Sequence, residues 1–286
     1  MAETVGIVGC GRVGLALARL LSPGFRVLVA SRQDAERAAA LAGGGVRVAS
    51  SGYLARSARC CVLAVPDRVV PEVAVSMATQ GARVILHTCG ALGPADLGLP
   101  AGSGVSAATF HPLQTFPDAA AAISGLPGSF IGVCGEGPAR TWCERLARAI
   151  GCTPLPVDER KLPLYHAGAV LASNCLIGLL DAATEALQAS GVARETGRAA
   201  LAPLATASLR NALTMGAEQA LTGPVSRGDV GTVGRHLDSV STVSEPLGDL
   251  YRLIGLRLVA IALRGGLDPQ AADGLAVVLG EKGALQ

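Results

Sequence analysis

The chain is poor in aromatic residues and in charge. Only 3% of its 286 residues are Phe, Tyr or Trp, 16% are Asp, Glu, Lys or Arg, and the formal net charge is +2. So few rings exclude a base-stacking surface, and so small and scattered a cationic excess excludes a nucleic-acid footprint, so no nucleic-acid partner is expected. Cysteine is present but unpatterned: the eight cysteines form no C-x-x-C pair, Cys60 and Cys61 alternate across one apparent strand, and most of the others lie in apolar runs. Neither a disulfide framework nor a zinc site is implied, and the thiols read as small reduced core residues of a cytoplasmic protein. A first strand that begins by Thr4 leaves no room for a signal peptide. What the chain has in quantity is apolar residues, 50% of the total, enough for two modest cores and hence two domains.

The most informative stretch is the first. A short apolar run, Thr4-Val5-Gly6-Ile7-Val8, leads into Gly9-Cys10-Gly11-Arg12-Val13-Gly14, after which Val13, Leu17, Leu20 and Leu21 fall on one helical face. In a strand-turn-helix of this kind Gly9 allows the tight turn, Gly11 lets the backbone approach a pyrophosphate, and Gly14 lets helix and strand lie close. The phosphates would sit at the helix N-terminus, where free N–H groups attract anions. The second strand, Phe25 to Ala30, ends in Ser31-Arg32, where an NAD site usually carries an acidic residue. A hydroxyl and a guanidinium suit a 2′-phosphate, so the expected cofactor is NADP(H). Ser31 also has a second reading, as the cap of the following helix with Asp34 three residues on.

Beyond this turn, strands and helices alternate. An Ala-rich helix is expected over Gln33–Leu41, strands at Arg59–Val65, Arg83–His87, Ser106–Phe110, Ser129–Val133 and Thr153–Val157, and helices at Val69–Gln80 and Pro138–Ile150. Repeated βα units make an α/β domain with an open, doubly wound, mostly parallel Rossmann sheet, assigned here to residues 1–157. Ligands of such sheets lie beyond the carboxyl ends of the strands. That adds Val65, Pro66, His87 and Thr88 to Gly9, Cys10, Gly11, Arg12, Val13, Gly14, Ser31 and Arg32 as candidate cofactor-binding residues.

From Asp158 the pattern is helical, and residues 158–286 read as an all-α substrate and dimerisation domain. One helix is expected over about Lys161–Gln188. Leu162 to Leu180 contains no Asp, Glu, Lys or Arg, long enough to raise the question of a membrane span. Pro163, His166, Ser173 and Asn174 interrupt it and a Rossmann-type domain precedes it, so no membrane partner is expected. A helix apolar nearly all round must instead be wrapped by other helices, several of them from a second subunit, which makes a homodimer the expected state. Later helices are expected over Arg194–Met215, Val230–Val240 and Glu245–Leu263, with a short one after Pro269.

Histidine has the side-chain pKa closest to neutrality, and the chain has four. His87 and His111 each end an expected strand, and His166 shares a helical face with Ser173, with Asn174 at its margin. His166, His111, Ser173 and Asn174 are therefore candidates for proton donation and carbonyl polarisation. Each keeps an ordinary reading beside that one: His166 as a hydrogen-bonded core residue, His111 as a strand end held extended by Pro112, His87 bonded to a loop, His236 on a helix surface. In Thr222-Gly223-Pro224-Val225-Ser226-Arg227-Gly228-Asp229, followed by Thr232, two readings stand side by side. Ser226, Arg227 and Thr232 form a substrate loop in which Arg227 grips a carboxylate, or Asp229 is a helix N-cap after a Gly-Pro stop.

The fingerprint with Ser31-Arg32, His87-Thr88-Cys89-Gly90-Ala91-Leu92-Gly93, Phe110-His111-Pro112-Leu113-Gln114-Thr115-Phe116, the Tyr165 to Asn174 helix and Leu221 to Asp229 together resemble one bacterial family. It pairs an NADP-binding Rossmann-like domain with a helical C-terminal domain long catalogued as of unknown function. Its fold resembles those of pyrroline-5-carboxylate reductase, ketopantoate reductase and the β-hydroxyacid dehydrogenases, which implies a cofactor in an interdomain cleft and dimers built by the helical domain. Some members look like alternative ketopantoate reductases, which implies a small 2-oxo acid as substrate. The chain departs from ketopantoate reductases and β-hydroxyacid dehydrogenases where they carry a Lys and an Asn four apart: Lys161 is followed four later by Tyr165, and Asn174 is preceded four earlier by Val170. The Lys role is therefore not carried over, and His166 stands as its replacement. The Ser-Gly turn of the β-hydroxyacid enzymes becomes Cys89-Gly90, leaving Thr88 as the nearby hydroxyl. The expectation is an NADPH-dependent reductase of a small carbonyl acid, with imine reduction of the pyrroline-5-carboxylate kind and non-catalytic NADP(H) sensing as the rival readings.

Overall fold

The computed structural model describes residues 2–32, 39 and 43–280; the helix expected over residues 33–41 lies, but for Ala39, outside them, as does Asp34. The chain divides into two compact units, Met1–Ser173 and Asn174–Gln286. The strands end at Pro156, where the sequence turns helical, while the helix just after them belongs with the sheet.

The first unit holds one sheet of eight strands: β1 (Thr4–Val8), β2 (Arg26–Ala30), β3 (Val46–Val48), β4 (Cys60–Leu63), β5 (Val84–His87), β6 (Ser106–Leu113), β7 (Phe130–Gly135) and β8 (Thr153–Pro156). Their spatial order is β3-β2-β1-β4-β5-β6-β7-β8, parallel except for the antiparallel β6–β7 pair. The order reverses at β1, which lies between β2 and β4, and this is where such sheets bind ligands. Helices α1 (Arg12–Leu21), α2 (Ser51–Ser57), α3 (Val70–Thr79), α4 (Ala119–Gly125), α5 (Gly137–Ala149) and α6 (Leu162–Ala172) connect and flank the strands.

The side-chain period of two divides the apolar strand residues between the two faces. Val5, Ile7, Val27, Cys60, Val62 and Leu86 pack with Leu17 and Leu21 of α1 and Leu146 of α5. Leu28, Cys61, Leu63 and Ile85 pack with Leu54 of α2 and Ala74 and Met77 of α3. Cys60 and Cys61 thus face opposite ways, and six of the eight cysteines are buried free thiols.

Two elements differ from the expectation. Strand β6 does not end at His111 but runs on through Pro112 to Leu113, because β7 stays alongside: His111 pairs with Gly132, Pro112 with Ile131 and Leu113 with Phe130. Its last partner on β5 is Thr109 with His87, so His111 still projects past the carboxyl end of the parallel strands. The single long helix is in fact two. At Ser173 the backbone leaves the helical region (φ −125°, ψ −79°), while the Ser173 hydroxyl donates to the Ala169 carbonyl oxygen at 2.7 Å. A hydroxyl competing for the carbonyl four residues back loosens a helix at that point. Ser173 therefore does not continue the helical face of His166.

The second unit is helical: α7 (Asn174–Ala189), α8 (Arg194–Met215), α9 (Ala217–Ala220), α10 (Val230–Val243), α11 (Glu245–Arg264) and α12 (Pro269–Val278). Its core is Val225, Val233, Val259, Ala262, Ala272, Leu275 and Leu279, supplied by the last three helices and the turn before them. Close approach is made possible by glycine: a Cβ at Gly248 would lie 2.6 Å from Ser241 Oγ, and one at Gly255 2.8 Å from a Leu279 methyl. By contrast α7 buries only Thr184 and α8 only Gly197. Within Glu159–Ala189 one 18-residue window, of mean hydropathy 1.5, is apolar enough by length and composition to cross a membrane, and 6% of that window is buried within the chain.

Candidate functional site

The glycine turn has the geometry its sequence requires. Gly9 adopts φ +99°, open to glycine, and its N–H donates to the Ala30 carbonyl oxygen at 2.8 Å, tying the turn to the end of β2. A Cβ at Gly14 would overlap the Gly9 carbonyl, so only glycine lets α1 sit this close to β1. Gly11 is different: a Cβ there would meet no protein atom within 4 Å, so packing does not require glycine. Gly11 is also the N-cap of α1, with no side-chain cap and no acidic residue in the first turn. The first amides of the helix thus keep their positive end for an outside anion, and the bare Gly11 backbone leaves room for a pyrophosphate. These residues fit a dinucleotide.

Around this turn, Cys10 hydrogen-bonds Ser31, and burial raises its thiol pKa against the opposing pull of that bond. Arg32 is exposed, and Val65 packs where a Cβ on Gly9 would touch it. Arg12 Nη1 donates to the Phe116 carbonyl oxygen at 3.2 Å, bringing the segment after β6 to the fingerprint. Pro66 is exposed at the end of β4, Val13 is half-buried in α1, and Thr88 Oγ1 donates to the Leu63 carbonyl oxygen at 3.4 Å.

Three strands along the sheet from β1, roughly 14 Å at the spacing of strands, lies a second cluster. Helix α6 is anchored over the strand ends by Glu159, whose carboxylate accepts from the Ala95 N–H at 2.9 Å. The helix presents Tyr165 and His166 to β6. His111 Nδ1 lies 2.9 Å from Tyr165 Oη, with the rings edge to face at 5.6 Å between centroids. The His111 and His166 rings are also edge to face, at 5.7 Å. Gly90 makes this possible: a Cβ there would come within 2.7 Å of His166 Nδ1 and 2.8 Å of His111 Cδ2 and Cε1. His166 Nδ1 is buried without a hydrogen-bond partner among the described residues.

His87 occupies a different place. It is fully buried, with Nε2 3.4 Å from Thr109 Oγ1 on the neighbouring strand, so its side chain is not presented at the surface. Burial pushes its pKa down to about 4, against the attraction of Asp67 and Asp96. His111 is likewise held down to about 4, by burial first and the neighbouring His166 second, with Asp67 opposing. Tyr165 is pushed up to about 12 by burial. At neutral pH His111 is therefore an uncharged imidazole and Tyr165 an intact phenol, a pair suited to donating hydrogen bonds rather than holding charge.

The remaining candidates lie at the start of the second unit and within it. Asn174 begins α7 and is exposed. Ser226 Oγ donates to the Gly223 carbonyl oxygen at 2.9 Å, Gly228 takes φ +69°, and Asp229 caps α10 by accepting from the Thr232 N–H at 2.9 Å. Thr232 Oγ1 accepts from Arg235 at 2.8 Å, while the Arg227 side chain is exposed. The N-cap reading of Asp229 is thus realised, and Ser226, Arg227 and Thr232 share one short segment.

Sequence reasoning brought His111 and His166 forward but assigned no role to Tyr165, Gly90 or Gly132. A Cβ at Gly132 would overlap Tyr165 Oη, so β7 leaves a notch for the phenol. A contact between positions 54 residues apart leaves no trace in local spacing.

Two family models match the chain. Residues 4–89 match the family described as NADP oxidoreductase coenzyme F420-dependent, and residues 129–258 a domain of unknown function (DUF2520). No curated protein matches in sequence. Among solved structures, a protein from Thermotoga maritima shares 22% identity at a TM-score of 0.72, over 91% of this chain and 98% of its own. An imine reductase from Streptomyces aurantiacus shares 16% at 0.65, over 98% and 100%. The pyrroline carboxylate reductase of Plasmodium falciparum, with NADP bound, shares 12% at 0.58, over 96% and 99%. At these identities the likeness establishes the fold.

Proposed function

We propose that this chain, which joins an NADP-oxidoreductase domain of Rossmann type to a helical domain of the unknown-function family, reduces a small carbonyl acid of the 2-oxo acid class with NADPH. The observation that carries the reading is the uncapped start of α1 behind Gly11, a positive helix end with no acid of its own to neutralise it. Arg32, exposed at the end of β2, is the cation for the 2′-phosphate. Bound there, NADP(H) supplies or accepts the hydride.

The chain's own contribution is a hydrogen-bond donor for the oxygen that gains charge as the carbonyl is reduced. His111 and His166 are the candidates, and the low pKa of His111 makes its role that of a neutral N–H donor rather than an imidazolium acid. Asn174 is the second group proposed for the carbonyl oxygen, with Ser173 beside it. The exposed Arg227, with Ser226 and Thr232 in its segment, is proposed for the substrate carboxylate. A second reading, reduction of a cyclic imine, draws support from Asp67, the carboxylate felt by both His87 and His111: it would favour a cationic iminium over a ketone, and that chemistry needs no strong proton donor.

The same proposal makes the protein a homodimer. Helices α7 and α8 bury one residue each while Ile177 is 70% and Leu213 78% exposed, an apolar surface that a second copy would cover. The buried free thiols suit a reducing cytoplasm.

The test is NADPH absorbance followed with ketopantoate, other branched 2-oxo acids and pyrroline-5-carboxylate. Oxidation with an oxo acid is expected. Turnover with the cyclic imine alone selects the second reading, and tight NADPH binding without any turnover leaves a cofactor-sensing protein.

A further inference from the structure

We propose that Tyr165 is a positioning residue that donates its hydroxyl to His111 Nδ1 and so holds the imidazole with its proton on Nε2, directed away from the phenol. This deepens the reductase reading, since it names which ring nitrogen of His111 faces a substrate oxygen as a donor.

The arrangement is built from three elements. His111 on β6 and Gly132 on β7 are directly paired across the antiparallel ladder. Because Gly132 has no side chain, the strand surface next to His111 carries a notch, and the tip of Tyr165 from α6 fills it: any Cβ at Gly132 would overlap Tyr165 Oη. Seated there, Oη lies at hydrogen-bond distance, 2.9 Å, from His111 Nδ1, and the rings meet nearly perpendicular at 87°. Gly90 lies against both His111 and His166, so close that a Cβ there would collide with either ring.

Which group donates follows from chemistry. A phenol is a strong donor and a weak acceptor, whereas the unprotonated nitrogen of a neutral imidazole is a strong acceptor. Both groups are uncharged at neutral pH, and among the described residues the Tyr165 hydroxyl bonds only to His111. An O–H donated to Nδ1 requires that the imidazole proton sit on Nε2. The bond favours the neutral ring, working in the same direction as burial and as the facing His166; among the described residues Asp67 is the carboxylate acting on this ring in the opposite sense.

The experiment is 15N NMR of the imidazole side chains in the full-length protein, which reads the protonated nitrogen and the pKa of each histidine without substrate or cofactor. In the wild type at neutral pH, His111 is expected to show a protonated Nε2 and a hydrogen-bonded, unprotonated Nδ1. In Tyr165→Phe the Nδ1 signal should lose its hydrogen-bond shift and the pKa should rise by about one unit, the tenfold change that loss of one hydrogen bond gives. Gly132→Ala should do the same with Tyr165 still present, by displacing the phenol. His236, whose Nδ1 lies 3.1 Å from Tyr251 Oη in the other unit, should not respond. A wild-type His111 protonated on Nδ1 overturns the proposal whether or not the variants fold, and so does an unchanged His111 in Tyr165→Phe. A failed search for a reducible substrate would count against the reductase reading and leave this result standing.

Discussion

The two units bury their apolar residues by opposite means. In the first, Leu86 lies at 0% exposure in a sheet covered on both faces, whereas in the second Leu213 stands 78% exposed on a helix that buries a single residue of its own. A two-sided sheet closes its core within one chain. A set of long helices closes one only where its stripes meet, and here α10, α11 and α12 meet around Val233 and Val259 while α7 and α8 do not join that core. The sheet of the first unit is thus covered within the chain, whereas α6 at its end and α7 and α8 of the second unit leave apolar residues such as Leu164, Leu171, Ile177 and Leu213 exposed.

Substitutions on either side of this contrast should differ accordingly. The largest effect is expected at Gly14→Ala, where the new Cβ overlaps the Gly9 carbonyl: about 4 kcal/mol of stability lost, read as the urea midpoint of the first unit, together with loss of NADPH binding. Leu86→Ala should cost about 3 kcal/mol by leaving a cavity within the sheet's cover. Acid comes next. Burial pushes the His87 pKa down to about 4 in the folded chain, against 6.5 for an ordinary histidine, so the unfolded chain binds the extra proton first as pH falls. Stability from the neutral ring is complete above pH 6.5 and drains away between 6.5 and 4, on the order of 3 kcal/mol. A urea midpoint that fails to drop across that window, or drops equally in His87→Gln, would refute the buried neutral histidine.

Leu213→Ser should change the monomer's stability by less than about 0.5 kcal/mol yet shift the sedimentation profile from dimer to monomer. A dimer that survives would mean the covering surface lies elsewhere. Smallest of all is Asp249→Asn, which removes an exposed ion pair to Arg252 of 2.7 Å and should cost less than about 0.5 kcal/mol.

Much of the first unit was legible because its strands are apolar runs bounded by glycine and proline, and the fingerprint was legible because each glycine has a separate mechanical duty. Strand β3 was not, since Val46-Arg47-Val48 is three residues long and pairs only with β2. Helix α2 was overlooked although Ser50 caps it through the Tyr53 N–H, and α4 although Asp118 caps it through the Ala121 N–H; neither is long enough to show a period. His111 reads as a strand end in the sequence because the antiparallel return of β7, which sustains β6 through Pro112, is a matter of topology. The same limit hid Tyr165: its partners His111 and Gly132 are set beside it by two strands and a helix that are distant in sequence. The break at Ser173 depended on where one hydroxyl bonds, which hydropathy does not register.

Calorimetric titration of NADPH and NADH into the wild-type chain and into Arg32→Ala probes the cofactor assignment on which the reductase reading stands. NADPH should bind at least about tenfold more tightly than NADH, and Arg32→Ala should erase most of that difference while leaving NADH nearly unaffected. Equal affinities in the wild type, a preference for NADH, or a preference for NADPH that survives the loss of Arg32 would contradict it.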